Sequence, residues 1–381
     1  MQNRLRVFAV ALASATMLTG CGLFSGSDAF EPAELTRIQD RIAANVVWKT
    51  HVGRGASRTL TPMITEHGVY VAGGKTLYRL DPQTGRVIWQ KRTSAPITAG
   101  VGADALYVAV GTSNGELEVY DPEGNFLWRV ALSSSITVPP LVGYERVIVK
   151  TSDTRVTAFN ARTGERVWHY LGQVPALTLN SFQAMSWSPA GALIPQANGR
   201  LLALSPNDGK VVFDAVVGQP KGITEVERLI DVVGRPWVDS ELMCAGTYQG
   251  NVLCMQSNNG KAVWAQPLDT VSSVFSDNMG VYATDAQSHV HAFVRQTGRE
   301  AWVNTDLTYR SVSAPVRVGN YLAVGDYDGV ISVLNPANGE IVGRSHLSGA
   351  IVVPPLPMNY GAIFQTVEGD VAYITTRAKN P

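Results

Sequence analysis

The sequence predicts an all-β fold, an eight-bladed β-propeller with four antiparallel strands in each blade and one blade closed by both termini. The prediction rests on an internal repeat and on the two ends of the chain. Between residues 77 and 343 one phrase occurs seven times: an alternating strand, a polar turn that ends in Gly and, in six copies, an aromatic residue four positions later. A period near 40 residues built from short strands is typical of propeller blades.

The turn chemistry assigns each copy to the hairpin between the third and fourth strands of a blade. In the first copy, Pro82 fixes φ at an early turn position and Gly85 suits the left-handed backbone that closes the hairpin. The aromatic residue then lies on the fourth strand, between neighbouring blades. The copies are LYRLDPQTGRVIW ending at Trp89, LEVYDPEGNFLW at Trp128, VTAFNARTGERVW at Trp168, LLALSPNDGKVVF at Phe213, VLCMQSNNGKAVW at Trp264, VHAFVRQTGREAW at Trp302 and ISVLNPANGEIVG at Gly343.

The two ends of the chain supply the eighth blade. After the last copy, the segments IVVPPL, AIFQTV and DVAYIT provide three strands, whereas NVVWKTHV around Trp48 provides a strand with no partner phrase before it. We expect the N-terminal strand to complete the C-terminal blade, because closure removes the open strand edges. The propeller is therefore predicted over residues 45–381.

The N-terminus predicts export and a lipid anchor. Residues 1–20 carry two arginines, an apolar run and small residues, which indicates a secretory signal peptide. Leu18 to Cys21 resemble the bacterial lipobox, in which the Cys is acylated, and the alternative is an ordinary signal peptide with a chance Cys. Residues 21–44 then form a lipidated Cys21 and a flexible tether. Gly22 after the Cys favours the periplasmic face of the outer membrane over retention in the inner membrane.

Cys244 and Cys254 flank a predicted hairpin. If Tyr248, Gln249 and Gly250 form a three-residue loop with Gly250 as the bulge, the two cysteines face each other. Opposed residues of this kind can form a disulfide, and the alternative is two small buried thiols. Either interpretation makes the pair structural.

Catalytic and metal-binding signatures are weak. The sequence contains none of the nucleophile-elbow, zinc-protease, phosphate-loop or dinucleotide-binding motifs. His289 and His291 share a strand face near Asp285, but two histidines with one carboxylate across a turn are interpreted as polar strand positions. The formal charge is zero, which argues against a nucleic-acid partner. We therefore predict no catalytic residues, no metal, no cofactor and no nucleic acid.

The repeat resembles the tryptophan-docking repeat of quinoprotein dehydrogenases, as in LYRLDPQTGRVIW and VTAFNARTGERVW. That resemblance implies the propeller fold. It does not imply quinone binding, because those enzymes hold the quinone against a disulfide of adjacent cysteines and this chain has no adjacent Cys pair. A degenerate quinoprotein is one alternative interpretation.

The whole chain resembles the BamB family, the lipoprotein subunits of the outer-membrane β-barrel assembly machinery. ALTLNSF, with Leu177, Leu179 and Asn180, is similar to the family's L-x-L-R loop, although Asn180 replaces the Arg. GITEVERLIDVV, with Glu225, Arg228 and Asp231, is similar to its T-E-[IV]-[DE]-R-L-x-D-V-D segment, although Val233 replaces the final Asp.

The resemblance to BamB proteins implies a non-catalytic scaffold on the outer membrane. It implies that these six residues contact the POTRA domains of BamA, that other subunits of the machinery and unfolded outer-membrane proteins are further partners, and that the lipid is the link to the membrane. The alternative is a periplasmic adaptor that binds a small ligand or a peptidoglycan fragment in the central channel.

Overall fold

A computed structural model of the protein describes residues 30–54, 60–136, 138–173, 177, 179, 181–224 and 226–379. Residues 33–381 belong to one compact unit. Across the described ranges the secondary structure is strand and turn, and no helix there is long and apolar enough to cross a membrane. The strands group into eight four-stranded antiparallel sheets, as predicted.

Seven blades are continuous in sequence and each is numbered from its innermost strand. Blades 1 to 4 comprise β2 (Met63–Thr65), β3 (Gly68–Gly73), β4 (Thr76–Leu80) and β5 (Val87–Arg92); β6 (Ile97–Ala103), β7 (Val108–Thr112), β8 (Glu116–Tyr120) and β9 (Phe126–Ala131); β10 (Leu141–Gly143), β11 (Arg146–Lys150), β12 (Arg155–Asn160) and β13 (Arg166–Leu171); β14 (Ser186–Ser188), β15 (Gly191–Pro195), β16 (Arg200–Leu204) and β17 (Val211–Val216). Blades 5 to 7 comprise β18 (Val232–Val238), β19 (Leu242–Thr247), β20 (Gly250–Gln256) and β21 (Ala262–Leu268); β22 (Phe275–Ser276), β23 (Val281–Thr284), β24 (Val290–Phe293) and β25 (Glu300–Asn304); β26 (Val316–Val318), β27 (Tyr321–Gly325), β28 (Val330–Leu334) and β29 (Ile341–His346).

The eighth blade joins both ends of the chain, which confirms the predicted closure. It is ordered β30 (Leu356–Met358), β31 (Gly361–Gln365), β32 (Asp370–Ala378) and β1 (Ile42–His51). β1 pairs antiparallel with β32 along its length, with Trp48 opposite Tyr373 and one irregularity between Val46 and Trp48. The ring therefore leaves β32 paired on both edges.

The repeated aromatic residues dock on the turn glycines of the next blade. The Trp168 indole donates a hydrogen bond to the carbonyl of Pro206 at 2.9 Å, and its ring covers Gly209. A Cβ on Gly209 would lie 2.7 Å from that ring, and its φ of +70° favours Gly as well. The same contact recurs for Trp48, Trp89, Trp128, Phe213, Trp264 and Trp302 against Gly85, Gly124, Gly164, Gly260, Gly298 and Gly339.

The seventh copy of the phrase ends in Gly343 because blade 8 offers no turn for an aromatic residue to cover. Its third strand is β32 and its fourth is β1, which are far apart in sequence, so no hairpin turn joins them. The backbone of Ile42 passes so close to Gly343 that an added Cβ would lie 2.0 Å from the Ile42 carbonyl oxygen. The missing aromatic residue therefore marks the joint between the two termini.

The last residues of the predicted tether pack on the propeller. Leu35 and Ile38 lie against the apolar core between blades 6 and 7. The N–H of Ala33 donates to the carbonyl of Thr308 at 2.9 Å, and its own carbonyl accepts from Arg310 at 3.1 Å. The first strand then begins at Ile42, three residues before the predicted boundary.

Candidate partner-docking site

The two segments predicted to contact a partner lie in connections between blades. Residues 172–185 join blade 3 to blade 4, and residues 217–231 join blade 4 to blade 5. Because consecutive strands of a blade are antiparallel, all such connections share one face of the ring with the turns between second and third strands. We call this the connection face. The glycine turns covered by aromatic residues lie on the opposite face.

The structure brings the two segments into contact. The backbone N–H of Leu179 donates to Asp231 Oδ2 at 2.7 Å, and the N–H of Asn198 donates to Oδ1 at 3.3 Å. Farther along, Gly234 and Phe182 share a backbone hydrogen bond of 2.7 Å, so residues 182–184 run beside β18. The Leu179 loop is therefore held in place by the neighbouring connection.

Asp231 itself is buried, with 1% of its surface exposed, so its predicted direct contact with a partner does not fit the structure. Burial raises the pKa of Asp231, and the backbone donors and Lys150 oppose that rise. Burial in turn lowers the pKa of Lys150 to about 8, and its ammonium donates to Gln183 and to the carbonyl of Pro195. Asp231 thus positions the Leu179 loop rather than presenting a charge to solvent.

The segment after Gly222 is a turn with its own cap. Thr224 Oγ1 accepts from the N–H of Glu227 at 3.2 Å, and Glu227 Oε2 accepts from the N–H groups of Ile223 and Thr224 at 2.9 and 3.0 Å. This reciprocal arrangement is a capping box, and the backbone hydrogen bonds that Glu227 accepts lower its pKa. The capping box therefore fixes the backbone of Ile223 and Thr224 relative to Glu227.

Two exposed apolar side chains of this turn were missed by the sequence reasoning. Ile223 is 95% exposed and Val226 is 66% exposed, beside the exposed Arg228. Leu177 is 48% exposed, and Leu179 is half-buried. Ile223 and Val226 lie in one turn, and an exposed apolar patch with charged residues at its edge is a candidate interaction site. We call Leu177, Leu179, Ile223, Val226 and Arg228 the docking surface.

Three predicted site residues lie outside the described residues: Cys21, Asn180 and Glu225. The signal peptide and residues 21–29 of the predicted tether also fall there. These assignments stay predictions from the sequence.

A disulfide hairpin contacts the second segment at Asp231. Cys244 and Cys254 are directly opposed on β19 and β20 and are joined by a disulfide. Gln249, rather than Gly250, adopts the positive φ at the tip, so the expected bulge at Gly250 was wrong. The N–H of Tyr248, at the same tip, donates to the carbonyl of Asp231 at 3.0 Å. The hairpin therefore braces the buried end of the second segment.

The central channel contains a cavity of about 360 Å³ near the inner strands of seven blades. Its walls are mostly apolar, with Trp187, Trp237 and Phe275 among them, and Arg235 is the one charged residue in this described lining. Burial lowers the pKa of Arg235. Cys244 and Cys254 lie in the core of blade 5 and are not among the residues that line this cavity, so the arrangement differs from a quinone held against adjacent cysteines.

Comparisons with known proteins agree with the fold. Residues 73–304 match the family model described as outer membrane protein assembly factor BamB. The chain is 34% identical over 370 residues to the assembly factor of Bordetella pertussis, covering 96% of each chain. It is also 34% identical over 374 residues to that of Burkholderia pseudomallei, covering 97% of this chain and 98% of the relative.

Solved structures give the same result. BamB from Moraxella catarrhalis superposes with a TM-score of 0.79 at 28% identity, covering 87% of this chain and all of the other. A quinohemoprotein alcohol dehydrogenase from Comamonas testosteroni superposes with a TM-score of 0.69 at 14% identity, covering 90% of this chain and 78% of the enzyme, which reflects the shared fold alone. The relatives from Bordetella pertussis and Burkholderia pseudomallei are both named as outer membrane protein assembly factors. The chain belongs to the BamB family of outer membrane protein assembly factors.

Proposed function

We propose that the protein is a non-catalytic scaffold that binds the POTRA domains of BamA through the docking surface and so assists insertion of β-barrel proteins into the outer membrane. Family membership supports the assembly role. The observation that carries the site is the hydrogen bond from Leu179 to Asp231, because it fixes two segments from separate connections into one surface.

The chemistry of the surface suits a protein partner. Leu177, Ile223 and Val226 provide apolar anchors, and Glu227 and Arg228 provide a polar rim, which is the usual arrangement of a protein interface. A contact of this kind depends mostly on a few anchors. We expect a small electrostatic contribution, because Asp231 is buried and Arg228 is the one charged residue of the docking surface.

Anchoring at Cys21 would place this surface in the periplasm beside the assembly machinery. We infer that the mature protein is held on the periplasmic face of the outer membrane by lipid on Cys21, since acyl chains stabilise membrane attachment by about 0.8 kcal/mol per buried methylene. A Cys21→Ala variant should leave the outer-membrane fraction. Its recovery there at the wild-type level in cells whose BamA does not bind the protein would contradict the anchor.

The partner is tested by co-isolation from detergent-solubilised outer membrane. We expect the wild-type chain to retain BamA and a variant carrying Ile223→Asp and Val226→Asp to lose it. Leu106→Asp is the control, because Leu106 is 62% exposed at the turn between β6 and β7 on the opposite face. Equal retention of BamA by all three proteins would contradict the assignment.

The cavity in the central channel supports a second candidate function, which is the binding of a small anionic ligand. Arg235 supplies one cation within aromatic and proline walls, and such a pocket suits a carboxylate attached to an apolar group. Arg235→Leu should leave BamA binding unchanged if the first proposal holds. If a ligand co-purifies with the wild type but not with the Arg235→Leu variant, the second candidate is supported.

A further inference from the structure

We propose that Asp285, His289 and His291 form a binding site for a first-row divalent metal ion, with zinc the expected ion. The three residues belong to blade 6, at the turn between β23 and β24 and at the beginning of β24. Their candidate ligand atoms all lie within 4.8 Å of one another. The sequence places Asp285 across a turn from the two histidines, and the fold of that turn brings its carboxylate within reach of both rings.

The turn fixes the carboxylate so that one oxygen faces both rings. Asp285 Oδ1 accepts the backbone N–H groups of Gln287 and His289 at 2.9 and 2.8 Å. Oδ2 is left 3.0 Å from His289 Nδ1 and 3.2 Å from His291 Nε2. Ligands bound to zinc at about 2.0–2.1 Å in a tetrahedron are separated by roughly 3.3 Å. The distances from Asp285 Oδ2 to the two ring nitrogens are therefore close to those between ligands of a shared zinc ion.

The outer nitrogen of each ring has its own oxygen partner. His289 Nε2 lies 3.2 Å from Thr308 Oγ1, and His291 Nδ1 lies 3.1 Å from Glu300 Oε2. Metal-binding histidines almost always donate their second N–H to a carboxylate, carbonyl or similar acceptor, and this fixes the tautomer with the free lone pair toward the metal. Both rings of the cluster have that support.

The cluster also requires a positive charge. Both nitrogens of His291 face carboxylate oxygens, and a neutral imidazole has only one N–H. A neutral His291 would therefore place one lone pair against an anionic oxygen. Either a second proton or a cation removes this repulsion, and a divalent ion would also balance Asp285 and Glu300. A doubly protonated ring without metal is thus the competing state.

An ion can reach the site from solvent. The side chains of His289, Asp285 and His291 are 17%, 13% and 10% exposed. Three protein ligands leave a fourth tetrahedral position for water or for an incoming group. The turn lies on the connection face, like the docking surface, and the proposal stands independently of the docking function because none of its residues belongs to that surface.

The test uses the full mature chain purified with a tag that contains no histidine, stripped with a chelator and titrated with zinc chloride by calorimetry at pH 7.5. We expect one bound zinc per chain, with proton release on binding, and a rise in melting temperature with zinc. A variant with His289→Gln and His291→Gln should lose both effects. Glu300→Ala should keep the site but weaken it about 10- to 100-fold.

His51→Gln is the matched control, because His51 also pairs with a carboxylate, Asp370, at 3.1 Å. It should bind zinc like the wild type. The proposal is overturned if the wild type binds no zinc, which would leave the protonated cluster as the state of the site. It is equally overturned if the double His variant, with an unchanged circular dichroism spectrum, binds zinc as the wild type does.

Discussion

Replacing Asp231 by Asn tests the buried link between the two docking segments. The substitution keeps the shape of the side chain, but its amide NH₂ faces one of the two backbone donors, from Leu179 and Asn198. Losing one hydrogen bond to a charged acceptor costs about 1.5–3 kcal/mol. Leaving Lys150 buried without its carboxylate adds to the cost. We expect the free energy of unfolding at pH 7 to fall by about 2–4 kcal/mol.

The pH dependence gives this reasoning a second signature. The pKa of Lys150 is about 8 in the folded chain, against 10.5 for an ordinary lysine. Between these values the unfolded chain binds more protons at this group, so the contribution of Lys150 to stability rises with pH across that window. Near pH 10 the folded Lys150 is mostly neutral whether or not Asp231 is charged. The deficit of Asp231→Asn should therefore be smaller at pH 10 than at pH 7.

Urea denaturation followed by tryptophan fluorescence at both pH values measures the effect. Asp208→Asn is the control, because Asp208 is an exposed turn carboxylate paired with Lys210, and its denaturation midpoint should match the wild type. The reasoning is refuted if Asp231→Asn unfolds at the wild-type midpoint. A deficit of the same size at both pH values would refute the part played by Lys150.

Three further predictions concern the fold. Alkylation without reductant, followed by mass spectrometry, should find Cys244 and Cys254 protected, and two alkylated thiols on the folded protein would contradict the bond. Replacing both by Ala should lower the free energy of unfolding by about 3 kcal/mol, because the two cysteines are 10 residues apart and the disulfide closes a short loop. Trp168→Ala should lower the free energy of unfolding by about 3–5 kcal/mol. The control Tyr144→Ala, at a side chain that is 64% exposed, should lower it much less, and equal losses in the two variants would contradict the aromatic docking. Deleting residues 1–54 should cause aggregation through the open edge of β32, while deleting residues 22–32 should leave the melting temperature unchanged; equal melting temperatures for the two truncations would show that β1 does not close the ring.

The repeat made the architecture predictable from the sequence. Each copy carries its own turn glycine and its own aromatic residue, so local chemistry and the period agree on where the third and fourth strands meet. Hairpin geometry was sufficient to place Cys244 opposite Cys254. The exception at Gly343 is explained by the fold rather than by the repeat, because the third and fourth strands of blade 8 come from opposite ends of the chain and no hairpin turn joins them.

The contacts outside the repeat were not predictable in the same way. The burial of Asp231 depends on Leu179, which is 52 residues away in sequence, and on Lys150 in another blade. In the sequence, Leu35 and Ile38 look like tether residues, because the core between blades 6 and 7 that buries them is formed by residues far along the chain. In each case the determining partner is distant in sequence and carries no periodic signal.

The central claim is that the docking surface binds BamA, and the affinity of the purified soluble chain for the POTRA domains of BamA tests it most directly. The best variant carries Leu177→Asp and Ile223→Asp, because both side chains are exposed and neither donates to Asp231. We expect its Kd to rise about 30-fold or more, which corresponds to about 2 kcal/mol for lost anchors, with an unchanged melting temperature and with Leu106→Asp binding like the wild type. A Kd equal to that of the wild type for the folded double variant would contradict the claim.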